Sequence, residues 1–561
     1  MLDTQRLIAL IVFAFSALML WDAWQKHEAA HVPKLPATTM PALPGHADVS
    51  VPKVPGTPPG ATPAPAAAPA ARPVAPVGPP VLVKTDLFDV EINTQGGDIR
   101  RVTLKKQHSA LDPTQPLTLM EPDPQHYFVT QSGLLGDGLP NHKSAYETSQ
   151  SSYELADGKD MLVVSLRARD ASGAEVTKRY TFRRDSYAID VAYEIVNKSD
   201  KPIAPFAYFQ FLRDSNAPGQ QAAPTASFGG VSVFAGPAVY TDESKYVKVN
   251  FKDVDNGKVS YPRKAKDGWI AIVQHYFVSA WVPKDGAERE YFTNKVGDNI
   301  YTAGVVMPVG TIAPGATATT DVTAYIGPQE TERLEKVAPG FELVVDYGWL
   351  KLLAVPIFTV LKWIHGVVGN WGWSIILLTI IIKLLFYPLN AKAGRSMAQM
   401  KVLTPKMEKL KELYGDDRQK LNTAMMELYR TEKINPLGGC LPIVVQIPVF
   451  IALYWVLLGS IELRHAPWLG WIQDLSAPDP YFILPVIYAV SMFVQTRLNP
   501  QPADPVQARV MLVMPIVFSV FFLFFPAGLV LYWVVQNLLS ILQQWHINKT
   551  IAAEAKAKAR R

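Results

Sequence analysis

A single cysteine, Cys440, stands in the 561-residue chain, so no disulfide can form within it and any exported part must hold together without one. Its setting, Gly438-Gly439-Cys440-Leu441-Pro442 at the start of an apolar run, makes it a small packing residue. Net charge is also scarce: 54 basic against 49 acidic residues leave +5, too little to imply a nucleic-acid partner. Where the charge sits matters more than its sum. The C-terminal third is mostly apolar, and none of its long apolar runs carries an Asp or Glu near its middle. A proton-coupled transporter usually needs titrating groups along its path, so this absence speaks against one.

A helix crossing the hydrocarbon core needs about 20 mostly apolar residues. Six runs approach that length, at 6–24, 367–389, 438–460, 480–498, 509–525 and 527–545. The last two are parted only by Phe525-Pro526-Ala527 and must form a tight hairpin. Trp21, Trp24, Trp371, Trp373, Trp468, Trp471 and Tyr481 gather near the ends of runs, as interfacial anchors do. Basic residues concentrate in 391–435 (from Lys392 to Lys433) and in the tail (Lys549 to Arg561), which places both segments and both termini in the cytoplasm. The loop 461–479 has only Arg464 against Glu462, Asp474 and Asp479 and falls outside, together with the large polar region between the first two runs. No small-x-small cleavage site follows Leu20, so the first run reads as a retained anchor over 1–25.

Between anchor and core the sequence changes character three times. Residues 26–80 are largely a Pro/Ala-rich linker that favours extended polyproline II and builds no core. Residues 81–326 show short alternating segments, among them Val81–Val90, Met161–Ala168, Val176–Phe182 and Ala188–Val196, with Gly96-Gly97, Asp170 to Gly173 and Asn197 to Lys201 as breaks. They predict an all-β sandwich on the exported side. No metal-ligand cluster and no nucleophile beside a base stands out in it, so neither a catalytic nor a metal site is expected. Residues 327–366 predict a polar helix from Gln329 to Val337, then an amphipathic helix over 341–365 lying on the outer membrane surface. A further crossing there is opposed by Asp346, Lys351, Lys362, His365 and Pro356.

The five C-terminal spans occupy 367–390, 436–460, 480–498, 509–525 and 526–545, joined by a helical hairpin over 391–435 and the loops 461–479 and 499–508, with the basic tail at 546–561. In the hairpin Met397, Met400, Leu403, Met407, Leu410 and Tyr414 recur at helical spacing before the Gly415-Asp416-Asp417 turn, and Leu421, Met425 and Leu428 after it. This methionine-rich seam serves two packed helices or a dock for nascent chains. One ionisable side chain, Lys383, stands deep in a span. A buried ammonium is costly unless it meets water or a partner, which makes it a candidate site; snorkelling toward Asn390 and Lys392, about two helical turns away, is the alternative. Thr379, Gln446, Gln495, Gln536 and Asn537 are polar side chains able to line a wet cavity around it or to bridge helices. Pro442, Pro448, Pro485 and Pro515 free carbonyls inside the runs.

Phe386-Tyr387-Pro388-Leu389, Asn435-Pro436-Leu437-Gly438-Gly439-Cys440-Leu441-Pro442, Gln446-Ile447-Pro448-Val449-Phe450 and Phe525-Pro526-Ala527-Gly528-Leu529-Val530-Leu531-Tyr532-Trp533 resemble, in this order, the signature segments of the YidC membrane protein insertases of Gram-negative type. The resemblance implies a multi-domain inner-membrane protein: six transmembrane helices, one an anchor and five a core, with a periplasmic sandwich and a cytoplasmic hairpin. It implies a hydrophilic groove open to cytoplasm and lipid, whose positive residue draws in the polar tail of a nascent membrane protein without cofactor or nucleotide. The charge matches Lys383, where the family usually has arginine. Apolar client segments would slide past Ile447, Phe450 and Phe521, with Tyr532 and Trp533 as an amphipathic contact surface. Implied partners are nascent membrane proteins, the Sec translocon, the lipid bilayer, and the ribosome or signal recognition particle pathway through hairpin and tail. A secondary transporter and a membrane-anchored carbohydrate-binding protein are the competing readings.

Overall fold

The computed structural model describes residues 51–53, 78–109, 112–123, 126–169, 173–216, 234–258, 260–415, 417–432, 441–498 and 505–559. The expected anchor at 6–24 and most of the Pro/Ala-rich spacer lie outside them. The chain divides into two units, one of strands ending at Val345 and one of helices from Asp346 on.

In the first unit, period-two alternation becomes an inner and an outer face. Along Ala174–Arg183 the buried residues are Ala174, Val176, Lys178, Tyr180 and Phe182, and along the antiparallel neighbour Ala188–Asn197 they are Ile189, Val191, Tyr193, Ile195 and Asn197. Both belong to an eight-stranded sheet, which faces a ten-stranded one among the described residues. Between the sheets Trp281 stacks on Phe211 at 5.2 Å and meets Phe209 at 5.4 Å, and Phe209 meets Tyr193 at 5.8 Å. Each such side chain, removed from water, contributes about 2 kcal/mol.

The expected strand Val81–Val90 is two strands, Pro80–Lys84 and Phe88–Asn93, paired antiparallel. Thr85 makes the turn, its Oγ1 accepting from the backbone N–H groups of Leu87 and Phe88 at 3.2 and 3.0 Å. Among the described residues the sandwich also contains one parallel pairing, Pro80–Lys84 with Ser152–Glu154, and a short helix α1 (Phe251–Asp255). The polar helix after the last strand is α2 (Thr331–Val337), two residues shorter than expected because Gln329 is held by the sandwich: its amide donates to the carbonyls of Gln274 and Phe277.

A polar cluster is sealed inside the sandwich. Lys178, fully buried, donates to Asp98 at 2.8 Å and to the Gly96 carbonyl at 3.2 Å, and lies over the rings of Tyr146, Tyr180 and Tyr193 at 5.5–5.8 Å. Asp98 also accepts from the Ser132 N–H at 3.0 Å. Burial pushes the Asp98 carboxyl up to about 6 against the pull of Lys178. Nearby, the His142 ring nitrogen Nδ1 lies 2.5 Å from the Tyr208 hydroxyl, and burial, reinforced by Lys178, lowers its pKa to about 4. The two groups act oppositely on acidification. The unfolded chain binds a proton at His142 that the folded one refuses, so that contribution to stability falls as pH drops from about 6.5 to 4; Asp98 takes up its proton more readily when folded. Between pH 7 and 4.5, His142→Gln is therefore expected to lose about 2–3 kcal/mol less stability than the unaltered protein. Amide exchange along Tyr127–Leu135, measured at both pH values, checks this, and equal losses would overturn it.

The second unit comprises, among the described residues, α3 (Lys351–Val368), α4 (Trp371–Leu385), α5 (Tyr387–Tyr414), α6 (Arg418–Thr431), α7 (Leu441–Gly459), α8 (Ile483–Leu498), α9 (Pro505–Phe522) and α10 (Ala527–Ala559). Helix α4 starts at Trp371, not at 367, with Asn370 as its cap: the Asn370 side chain accepts from Trp373 N–H and donates to the Pro467 carbonyl at 3.1 Å each. It ends at Phe386, where the chain bends by 69° into α5. Pro442 and Pro485 fall in the first turns of α7 and α8, where their missing N–H costs no helical bond, whereas Pro448 and Pro515 are interior.

Helix α3 with its lead-in, Gly348–Val368, has the length and hydropathy to cross a membrane, as does the bent pair α4 and α5 taken together. Ala354, Phe358, Leu361 and Ile364 of α3 are buried toward α4 and α7, while Leu352, Trp363 and Val367 on its other side are 88%, 69% and 73% exposed. The helix is apolar on both sides, a departure from the amphipathic pattern that its few charges predict. In the hairpin of α5 and α6, Leu403 and Met407 are buried, the Tyr429 hydroxyl reaches the Met407 sulfur at 3.8 Å, and Lys406 pairs with Glu432 at 2.6 Å. Asp417 caps α6 by accepting from Lys420 N–H at 3.1 Å.

Candidate functional site

Helix α10 is the element on which the site is built. Its first N–H groups, which have no partner within a helix, are taken up by the preceding loop: Ala527 donates to the Ala477 carbonyl at 2.7 Å and Gly528 to that of Leu475 at 2.9 Å. A side chain at Gly528 would come within 3.1 Å of the Leu475 oxygen, so glycine permits this approach. From there α10 packs against α4, α5 and α8.

Helical spacing puts Trp533, Gln536, Ser540 and Gln543 on one face of α10, with Asn537 beside them. Lys383, half-buried on α4, turns to that face and donates to the Ser540 hydroxyl at 2.7 Å. Among the described residues no carboxylate lies within ion-pair distance of its ammonium. Ser540 in turn donates to the Gln536 carbonyl at 2.8 Å. Asn537 donates to Ser491 of α8 at 2.7 Å, and Ser491 to the Tyr488 carbonyl at 2.8 Å. Among the described residues, three buried polar atoms on this face have no hydrogen-bond partner: Trp533 Nε1, Gln536 Oε1 and Gln543 Nε2. Three such polar atoms along one face leave it able to take water or a polar ligand.

Seven residues toward the start of α10, about 10 Å along its axis, polarity gives way to rings. Trp533 meets Phe450 of α7 at 4.7 Å, Phe522 of α9 at 5.9 Å and Tyr488 of α8 at 6.3 Å. Phe521 meets Phe525 in a tilted pair at 4.5 Å, and Phe525 meets Tyr454 of α7 at 6.0 Å. Tyr532, almost fully buried, shares a side-chain hydrogen bond with Gln446. Outward from these rings the surface is apolar: Ile447 on α7 is 40% exposed, and Val486, Val490 and Phe493 on α8 and Ile516, Val517 and Val520 on α9 are exposed as well.

The structure thus brings Lys383, Gln536 and Asn537 together in one polar row and Trp533 and Phe450 into one aromatic cluster, with Phe521 at its edge. Thr379 is separated from the row in chemistry: fully buried, it donates to the Ile375 carbonyl of its own helix at 2.6 Å. Gln495 is half-buried on α8 one turn beyond Ser491. Ser540 and Ser491 were not foreseen; a lone serine in an apolar run carries no signal by itself. Their signal lay in spacing, since Ser540 stands four residues after Gln536 and seven after Trp533.

Two family descriptions cover nearly all the described chain: "YidC periplasmic domain" matches residues 80–360 and "60Kd inner membrane protein" residues 363–555. A membrane protein insertase YidC of Aromatoleum aromaticum is 53% identical over 553 residues, 99% of each chain. That of Methylobacillus flagellatus is 51% identical over 566 residues, spanning 100% of both. A solved structure described as an active YidC insertase with its first transmembrane domain resolved is 17% identical, with a TM-score of 0.39 over 83% of this chain and 92% of that one, too distant for its geometry to bear on the site.

Proposed function

Because the chain belongs to the YidC family of membrane protein insertases, we propose that its helical unit moves the short polar tails and apolar segments of nascent proteins into the inner membrane, the sandwich lying in the periplasm. The observation that carries this reading is the row on α10: an ammonium held by a neutral hydroxyl, flanked by unpartnered polar atoms and bordered by exposed apolar helices. A cation paired with an acid would be neutralised in place. Held by serine, it keeps its full attraction for a carboxylate arriving on a client.

The work is one of partition, without covalent chemistry or nucleotide hydrolysis. Lys383, Gln536, Asn537, Gln446 and Gln495 hydrate and attract the tail; Thr379 supports the wall of the groove through its own helix. The aromatic cluster of Trp533, Tyr532, Phe450 and Phe521, with Ile447 beside it, passes the apolar segment to lipid along α7 and α9. Six crossings with both termini in the cytoplasm fit the distribution of basic residues, with α3 set against the outer leaflet where both its sides meet apolar surroundings. The hairpin of α5 and α6, rich in methionine and lysine, and the basic tail then face the cytoplasm, where ribosomes, the signal recognition particle pathway and the Sec translocon supply clients.

Purified protein in liposomes, given a short two-span client without other factors, is expected to insert it; failure with correctly oriented protein would remove the reading. The transporter and the anchored sugar-binding protein both predict no insertion. Removing residues 81–320 is expected to change the insertion rate by no more than about twofold, because every residue of the proposed groove lies in the helical unit. Loss of insertion while the helical unit stays folded by circular dichroism would contradict this.

A further inference from the structure

Lys383 has a flexible four-carbon stem, and an ammonium on such a stem takes whatever direction its partners impose. Of the described residues, Ser540 supplies the one side-chain oxygen that meets it, at 2.7 Å. The direction of that bond is fixed at both ends. An ammonium has hydrogens only to give, so the Ser540 oxygen must accept; the hydroxyl hydrogen is then committed to the Gln536 carbonyl at 2.8 Å, four residues back on the same helix. A helix carbonyl, a hydroxyl and an ammonium thus form a chain that starts on the backbone of α10 and ends on the charge. One turn earlier on the same face stands the unpartnered Gln536 Oε1, on a side chain only 6% exposed, and about one turn later the unpartnered Gln543 Nε2.

We propose that Ser540 is the positioning residue of the insertion site. It holds the Lys383 ammonium against α10, between the open amide groups of Gln536 and Gln543, and so sets where an acidic group on a client is first captured. This rests on the groove reading and deepens it: the charge selects the client, and the serine selects where the charge stands. The neutral hydroxyl suits the task because it holds the cation at rest yet yields it to a carboxylate, whose full negative charge attracts an ammonium more strongly than a hydroxyl dipole does.

The test uses the full chain in proteoliposomes with two short two-span clients, identical except that the translocated tail carries two aspartates in one and two asparagines in the other. Ser540→Ala is expected to lower the insertion rate of the aspartate client about tenfold and that of the asparagine client by less than about twofold. Ser540→Thr, which keeps the hydroxyl, is expected to restore at least half of the lost rate. Equal loss for both clients, or no rescue by threonine, would make Ser540 a packing residue and overturn the proposal; so would an alanine variant that inserts both clients normally. Lys383→Gln separates the two levels. If it too spares the aspartate client, the groove reading falls and the positioning role with it; if it impairs that client while Ser540→Ala does not, only the positioning role falls.

Discussion

Lys383→Glu is expected to slow insertion of a client with an acidic tail at least about 100-fold, while Lys383→Arg stays within about threefold of the unaltered protein. Two unit charges 4 Å apart at an effective dielectric of about 20 interact by about 4 kcal/mol, and reversing one sign turns that attraction into repulsion of similar size. Solvent in an open groove screens part of it, so two orders of magnitude is the floor of the expectation. Arginine keeps the charge, and its planar fork can still donate to Ser540 and to a carboxylate together. The measurement is the initial rate of protease-protected client in proteoliposomes, for acidic and neutral tails side by side. Equal rates for Lys383→Glu and the unaltered protein would end the attraction account, leaving the polar row only the role of hydrating the groove.

The second large effect lies in the sandwich. Lys178→Met is expected to destabilise it by about 3–5 kcal/mol, because Asp98 would remain as a buried carboxyl without its cation. Adding Asp98→Asn removes the charge while retaining an oxygen for the Ser132 N–H, and the double variant is expected to regain more than half of the loss. Denaturant unfolding followed by tryptophan fluorescence separates the variants, with Trp269 and Trp281 both buried in the sandwich as reporters. Single and double variants of equal stability would show that the cost is lost packing of the lysine stem, not an unpaired charge.

How far the sequence could be read depended on whether a feature is periodic or pairwise. Strands such as Ala188–Asn197 and helices such as α7 follow from residue spacing and were legible to within a few residues. The turn inside Val81–Val90 was hidden because burial keeps its alternation through it: Val81, Val83, Thr85 and Leu87 all point inward, so period alone continues the strand across a reversal. Lys178 was legible in half. It stands in phase with Val176, Tyr180 and Phe182, which announces a buried cation, but its partner is 80 residues away in another sheet and no local pattern points there. Lys383 stood out because hydrocarbon makes any charge conspicuous. Ser540 did not, because a serine is cheap to bury in a helix whose carbonyls it can reach.

The start of α10 is held differently from the rest of the helix. Gly372 lies so close to Trp468 that a β-carbon would come within 2.2 Å of the indole, and the 475–477 backbone grips the start of α10. Further along, α10 is joined by side-chain bonds: to α4 from Lys383, to α8 from Asn537 and Asn548, and to α5 from Gln544. Prying the helices apart at the start of α10 means expelling a tryptophan and stripping backbone partners together, whereas further along bonds of about 1–2 kcal/mol each can be exchanged one at a time. The polar row is therefore where the bundle is expected to open first, the start of α10 being held by its backbone partners.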